Sequence, residues 1–269
     1  MLTLLYVPAD RPDRVAKALA TAADVVIVDL EDAVADDAKD RARENTAALL
    51  ASGVSRPLQI RINDPRGPYG AADLDELAPY LALTEGVRLP KVESAAELAG
   101  VAGAVPGARL HPLLESALGV ERAFEIATAS PAVASVGLGE ADLRADLRVS
   151  DEAGLAWVRS RIVVAARAAG LPAPVQSAYA DVRDLDGLAA SCAAGRALGF
   201  RGRTAIHPAQ LPVIAAAFRP TEEEVARARE VMSLAGAGAA ALPDGRFVDA
   251  AIVRQAEEVL ADAGRSVPG

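Results

Sequence analysis

What most constrains this chain is an eightfold alternation of short apolar runs with longer amphipathic stretches. The apolar runs fall at 2–8, 25–30, 58–62, 87–92, 109–115, 134–138, 173–179 and 203–207. Most are nearly continuous in Val, Ile and Leu, the pattern of parallel strands covered on both faces. Between them lie helix-periodic stretches such as ADRPDRVAKALATA, DAKDRARENTAALLAS and LAWVRSRIVVAARAAG, with Gly53, Gly86, Gly170 and Gly199 punctuating the junctions. Strand–helix–strand repeats imply right-handed crossovers and a parallel sheet. Eight such units close a (β/α)8 TIM barrel, which takes about 250 residues. The competing architecture, an open doubly wound sheet, carries a glycine fingerprint after its first strand; here that loop reads VPADRPDR. The expected organisation is an α/β barrel over residues 1–235 with an extra C-terminal hairpin-helix segment over 236–269. In that segment Asp244-Gly245 signals a hairpin turn, and AAIVRQAEEVLADAG reads as a last amphipathic helix with Asp249 at its cap. A barrel does not need this segment, so a lid or a subunit contact is expected of it.

Composition removes several classes of function. Lys and Arg total 28 against 37 Asp and Glu, a net charge of −9, which argues against nucleic acid or an anionic membrane as the partner. Aromatic residues are 3% of the chain, too few for base-stacking platforms. The single cysteine, Cys192, lies in a helical pattern, and there are two histidines, so a disulfide framework and a Cys- or His-rich metal cluster are excluded. The N-terminus has no basic segment leading into an apolar core, and no apolar stretch approaches the ~20 residues of a membrane span. The expected compartment is therefore the cytoplasm.

In a barrel of this kind chemistry concentrates at the carboxyl ends of the strands. Those ends offer Asp29, Glu31 and Asp32, then Arg61 and Asn63, Lys91 and Glu93, Glu115 and Ser116, Glu140 and Asp142, and finally Ser177, Tyr179, Asp181 and His207. A ring of carboxylates enclosing one Arg and one Lys suits magnesium, which takes oxygen ligands and leaves most of its positions to water and substrate. Glu115 and Asp142, on adjacent strand ends, are the candidate metal pair, and Arg61 offers a planar fork to a carboxylate or an enolate. Competing structural roles are plain for several of these residues. Arg61 can serve as a buried structural partner of Glu31 or Asp29, Asp29 is the structural member of DLED, Lys91 can balance carboxylates, His111 is structural, His207 anchors a loop, and Asp249 can cap a helix.

The pieces LLYVPADRPDR, DLEDAV followed by KDRAR at 39–43, IRIN, LPKVES, LLESALGV, GLGEADL, GFRGRTAIHPAQL and GRFVDAAIV run in order through nearly the whole chain. Together they resemble the citrate lyase β-subunit family, within the wider group of HpcH/HpaI aldolases and malyl-CoA-type lyases. The resemblance implies a magnesium-dependent carbon–carbon lyase that cleaves or forms a 3-hydroxyacyl thioester, such as a citryl-, malyl-, citramalyl- or HMG-type thioester of coenzyme A. The products are an acyl thioester and a 2-oxo acid or a related carbonyl product. It implies Glu115 and Asp142 as metal ligands. Arg61, Glu115 and Lys91 are then implied at the substrate, with Arg61, Glu31 and Asp249 as catalytic groups, and Lys39, Arg43 and Arg14, with Arg11, at the coenzyme A phosphates. A homo-oligomer, trimer or hexamer, is also implied. Alternatives are the β subunit of a citrate lyase complex acting on a carrier-protein thioester, and a non-catalytic barrel that binds an acyl-CoA or a 2-oxo acid. Two departures stand out against the family pattern: Arg148 where many relatives have glycine, and Gln176 where others carry Asp. The HpaI branch places a His after its second strand, and here that loop has none.

Overall fold

The computed structural model describes residues 2–236 and 248–264. Among them the chain forms seven strands: β1 (Thr3–Pro8), β2 (Val25–Asp29), β3 (Leu58–Arg61), β4 (Gly86–Leu89), β5 (Leu110–Leu114), β6 (Gly137–Leu138) and β7 (Arg203–Ala205). The helices are α1 (Pro12–Leu19), α2 (Lys39–Ala51), α3 (Pro68–Leu81), α4 (Ala95–Ala104), α5 (Ala117–Glu121) and α6 (Ala123–Ala127), then α7 (Glu140–Leu147), α8 (Ala156–Ala168), α9 (Leu185–Ala197), α10 (Gln210–Phe218), α11 (Glu222–Gly236) and α12 (Ala250–Gly264). Local chemistry sets many of the boundaries. Pro12 opens α1 with the ring-fixed φ that a first turn wants. Ser94, Ser116 and Asp184 cap α4, α5 and α9 by accepting from the backbone N–H groups of Glu97, Gly119 and Gly187.

The strands form one curled parallel sheet in the order β6-β5-β4-β3-β2-β1-β7, consistent with a TIM-like barrel. All five residues of β2 are buried, as the unbroken VVIVD run requires. The register places Asp29 opposite Arg61, Arg61 opposite Arg88, and Arg88 opposite His111, so one row of polar residues crosses three strand pairs. Leu4, Val25 and Ile27 pack together with Tyr6 and Val175 as an apolar cluster.

The strand expected over 173–179 is reduced to a single parallel bridge, Gln176 with Arg203. Pro172 and Pro174 remove two donors from that stretch. On its other side Ser177 replaces a ladder with its side chain: the hydroxyl donates to the Leu138 carbonyl (2.5 Å) and accepts from the Glu140 N–H (3.3 Å). The stretch GVERAFEIATA, expected as one helix, is two short ones, α5 and α6.

The chain divides into two compact units that part between Ala217 and Phe218, not at the expected 235/236. The helix that follows β7 is α10, and TEEEVARARE belongs to α11 in the second unit. There α11 and α12 bury Ala228, Val231, Val248 and Ala256, flanked by Met232, Ile252 and Val259. Two facing apolar stripes satisfy each other, which explains why α11 groups with α12. The Asp244-Gly245 turn lies outside the described residues. Among the described residues no helix is long and apolar enough to cross a membrane.

Candidate active site

Within the first unit a cavity of about 390 Å³ opens among the strand ends, with Tyr6, Asp29, Arg61, Arg88, Glu115 and Asp142 in its wall. Arg61, the last residue of β3, organises one side. Its Nε and Nη2 donate to the two oxygens of Asp29 at 2.7 and 2.6 Å, and its Nη1 donates to Asp32 at 3.0 Å. Its Cζ stands 4.9 Å from the centroid of the Tyr6 ring. Burial works against the guanidinium, but the Asp29 pair outweighs it and holds the Arg61 pKa above its ordinary value. Asp29 also accepts from the N–H groups of Glu31 (3.0 Å) and Ala33 (3.3 Å), which locks the DLED turn. Asp29 is thus the structural member of that motif.

Glu31 is buried, and its Oε1 accepts from Lys91 Nζ at 2.7 Å. Its Oε2 lies 3.0 Å from Arg61 Nη1 yet has no aligned hydrogen bond, leaving a sealed acceptor beside the cationic pair. Burial raises the Glu31 pKa, partly opposed by Arg61 and Lys91. Lys91 adopts a left-handed backbone (φ 55°), a strained choice for a non-glycine residue. That conformation turns its N–H onto Glu115 Oε2 (3.2 Å). Burial lowers the Lys91 pKa, but the bond to Glu31 outweighs it and leaves the ammonium above its usual range.

Glu115 follows β5 and is buried. Its pKa is pushed up to about 8, first by burial and then by the charges of Glu31 and Asp142, with Arg61 and Lys91 opposing. The carboxyl fits only because residue 139 is glycine, since a Cβ there would stand 2.3 Å from Glu115 Oε1. Asp142 is exposed in the first turn of α7, where the helix dipole favours an anion. Among the described residues no group of three His, Cys, Asp or Glu side chains is arranged to cage a metal ion. Zinc or calcium would need such a cage. Two carboxylates sharing a cavity, one of them short of positive charge, fit magnesium, which keeps the remainder of its shell as water and substrate oxygens.

Several residues read from the sequence lie elsewhere. Lys39 is buried, with Nζ donating to the carbonyls of Leu30 (2.8 Å) and Glu31 (2.7 Å). Arg43 is buried against Asp73 (2.8 Å) and Asp40 (2.9 Å). Both are therefore committed to shaping the protein and turn no charge outward, a correction to their expected place on phosphates. Arg14 is exposed, and Arg11 is exposed and paired with Asp13 at 3.1 Å. Glu140 is a buried partner of Arg159. His111 Nε2 donates to the Glu85 carbonyl (2.8 Å), so its Nδ1 accepts from Ser135 (2.7 Å), a structural role as expected. His207 Nδ1 accepts from the Ala209 N–H (3.2 Å) and anchors its loop. In the second unit Asp249 is exposed and accepts from the N–H groups of Ala251 (2.8 Å) and Ile252 (2.9 Å), the cap its sequence position foretells. Arg148, noted as a departure, ends α7 in the left-handed conformation that glycine usually fills. Sequence reasoning missed Gly139, Tyr6 and Arg88. For Arg88 the signal was present as a charged residue inside the otherwise apolar run GVRLP.

Comparison with known proteins follows the same pattern. The chain is 37% identical over 276 residues to a (3S)-malyl-CoA thioesterase of Cereibacter sphaeroides, covering 97% of this chain and 94% of the relative. It is 32% identical over 303 residues to the L-malyl-CoA/beta-methylmalyl-CoA lyase of Rhodobacter capsulatus, covering 96% and 93%. Among solved structures it superposes with a TM-score of 0.85 and 36% identity, covering 98% of both chains, on the CitE protein of Mycobacterium tuberculosis in complex with magnesium, acetoacetate and coenzyme A. The profile of the HpcH/HpaI aldolase/citrate lyase family matches residues 2–208, the stretch that carries every side chain of the cavity. By that match and by those identities, the chain belongs to the HpcH/HpaI aldolase/citrate lyase family.

Proposed function

We propose that this protein is a magnesium-dependent carbon–carbon lyase that cleaves or forms a 3-hydroxyacyl-CoA-type thioester, yielding an acyl thioester and a 2-oxo acid. The observation that carries the reading is Glu115: a buried carboxyl with its pKa near 8, in one cavity with Asp142 and Arg61, in a chain whose relatives act on malyl-CoA. Glu115 and Asp142 would hold the ion, with Glu31 and Asp32 as further acids near it. Bound magnesium supplies a Lewis acid toward the oxygens of the 2-oxo acid half. Arg61, pre-positioned by three acids, donates to the thioester oxygen as enolate charge develops there. Lys91 holds Glu31 through its ammonium and orients Glu115 through its backbone N–H. Asp249 delivers a proton to the acyl carbon in cleavage and removes one in synthesis. Arg14 and Arg11, both exposed, take the coenzyme A phosphates. The curled sheet and the 173–179 stretch together make a closed (β/α)8 barrel. The protein works in the cytoplasm as a homo-oligomer, trimer or hexamer, in which the C-terminal segment serves a neighbouring subunit's site.

A second reading is favoured by the thioesterase relative: hydrolysis of the same class of thioester. A panel of coenzyme A thioesters with magnesium separates the two. The lyase releases a 2-oxo acid and an acyl-CoA, and chelation stops it. A thioesterase releases free coenzyme A and a hydroxy acid. In the same protein Asp142→Ala loses more magnesium affinity by calorimetry than the roughly 10–100-fold that follows loss of an outer-shell partner. Unchanged affinity removes Asp142 from the metal site, and no 2-oxo acid from any thioester removes the lyase reading.

A further inference from the structure

Arg88 sits in the middle of β4, between Arg61 on β3 and His111 on β5, and is 4% exposed. Its Nε donates to Gln59 Oε1 at 2.7 Å, and it shares a hydrogen bond with the Tyr6 side chain. Among the described residues no carboxylate stands within ion-pair distance of it. Two of the other buried arginines are paired with acids. Arg43 meets Asp40 and Asp73, and Arg159 meets Glu140 and Glu152. Arg203 has no acid partner either, but it donates to the Ser177 carbonyl (2.9 Å) and the Ser191 hydroxyl (2.9 Å) and stacks on Tyr179, away from the cavity. Arg88, by contrast, lines the cavity together with Glu115 and Asp142.

A guanidinium stays protonated inside proteins, so Arg88 is a permanent buried cation. Burial disfavours its charge, and the neighbouring Arg61 disfavours it further. His111 beside it is neutral and offers no counter-charge. Leaving a buried charge uncompensated is costly for stability. A chain that carries one in the wall of its reaction cavity is matched to an anion that arrives with a ligand.

Building on the lyase reading, we infer that Arg88 is a specificity residue that binds a second carboxylate of the substrate, so that the 2-oxo acid half is a dicarboxylic acid. Glu115 and Asp142 would hold magnesium, which would supply a Lewis acid toward the 2-oxo acid end of the ligand. Arg88, in the same cavity of about 390 Å³, takes the distal carboxylate through its planar fork. Arg61 is a weaker seat for that group, because Asp29, Glu31 and Asp32 already neutralise it. A 2-oxo acid without a distal carboxylate leaves Arg88 unpaired and binds less tightly.

Calorimetry on the full chain with magnesium tests this, using pyruvate as monoacid against oxaloacetate and 2-oxoglutarate as diacids. The wild type is expected to bind at least one diacid tenfold or more tighter than pyruvate. Arg88→Met is expected to erase that preference while pyruvate affinity stays within twofold, and Arg88→Lys is expected to keep part of it. A merely structural Arg88 would move both ligand classes together. In a crystal of wild type with magnesium and the preferred diacid, the distal carboxylate is expected on the Arg88 guanidinium. Equal binding of mono- and diacids by wild type, a preference that survives Arg88→Met, or a distal carboxylate seated elsewhere overturns the inference and leaves the lyase reading standing. Absence of magnesium-dependent binding of every oxo acid overturns both.

Discussion

At the scale of single residues, a missing side chain matters as much as any present one. Gly139 has φ −98°, a conformation open to any residue, so its glycine is demanded by space alone. Gly139→Ala is therefore expected to fold but to displace the Glu115 carboxyl. Misplacing a reacting geometry by about 1 Å can cost ~100-fold in rate. Steady-state turnover should fall by about that factor with little change in the melting temperature, and activity within twofold of wild type would refute the cradle. His111 makes a second prediction. Its pKa is pushed down to about 4 by burial, with the Arg88 charge adding. The unfolded chain therefore takes up this proton first as pH falls. The stability at stake is fully present above pH 6.5 and is lost progressively toward pH 4, about 3 kcal/mol in all. Denaturant unfolding at pH 7, 5.5 and 4 should show a steeper acid loss for wild type than for His111→Gln; parallel curves would contradict it. At this scale Glu115 and Asp142 were legible because strand ends and acid chemistry can be read from residue order. That Lys39 and Arg43 face inward was not, since their partners arrive from elsewhere: Arg43 meets Asp73, thirty residues downstream.

At the scale of elements, Asp249 is a helix cap, and the proposed function gives it an acid/base role as well. Its carboxylate accepts from two N–H groups at the start of α12, and asparagine caps about as well as aspartate. Asp249→Asn should thus keep the melting temperature and substrate binding while losing most turnover. Asp249→Ala should lose turnover and also about 1 kcal/mol of stability. Full activity in Asp249→Asn would leave the residue as a cap alone. Most elements were visible in hydrophobic period, from the VVIVD run of β2 to the α8 stripe. Those missed share a cause. The helix α7 lies in GEADLRADL, where the strand-end acids Glu140 and Asp142 occupy its first turn, favoured there by the helix dipole. The 173–179 run looked like a strand because its composition is right. Its prolines and the Ser177 side chain replace the ladder that composition promises.

At the scale of the whole molecule, the second unit is a helical pair with its own small core. Ending the chain at Gly236 removes α12 and Asp249 and exposes the apolar face of α11. The truncated protein is expected to lose turnover and to form smaller assemblies by native mass than the full chain. A fully active truncated form would show that the segment contributes nothing to the site. The order of residues by itself determined the strand–helix alternation, the parallel pairing and the acids at strand ends, because hydrophobic period and strand termini are local properties. Only the tertiary structure decided which cations are engaged and which are left over. Lys91 reaches Glu31 across sixty residues, Arg61 is surrounded by three acids, and Arg88 meets none. Coulomb energy depends on distance in space and on burial, and neither is written in the spacing along the chain.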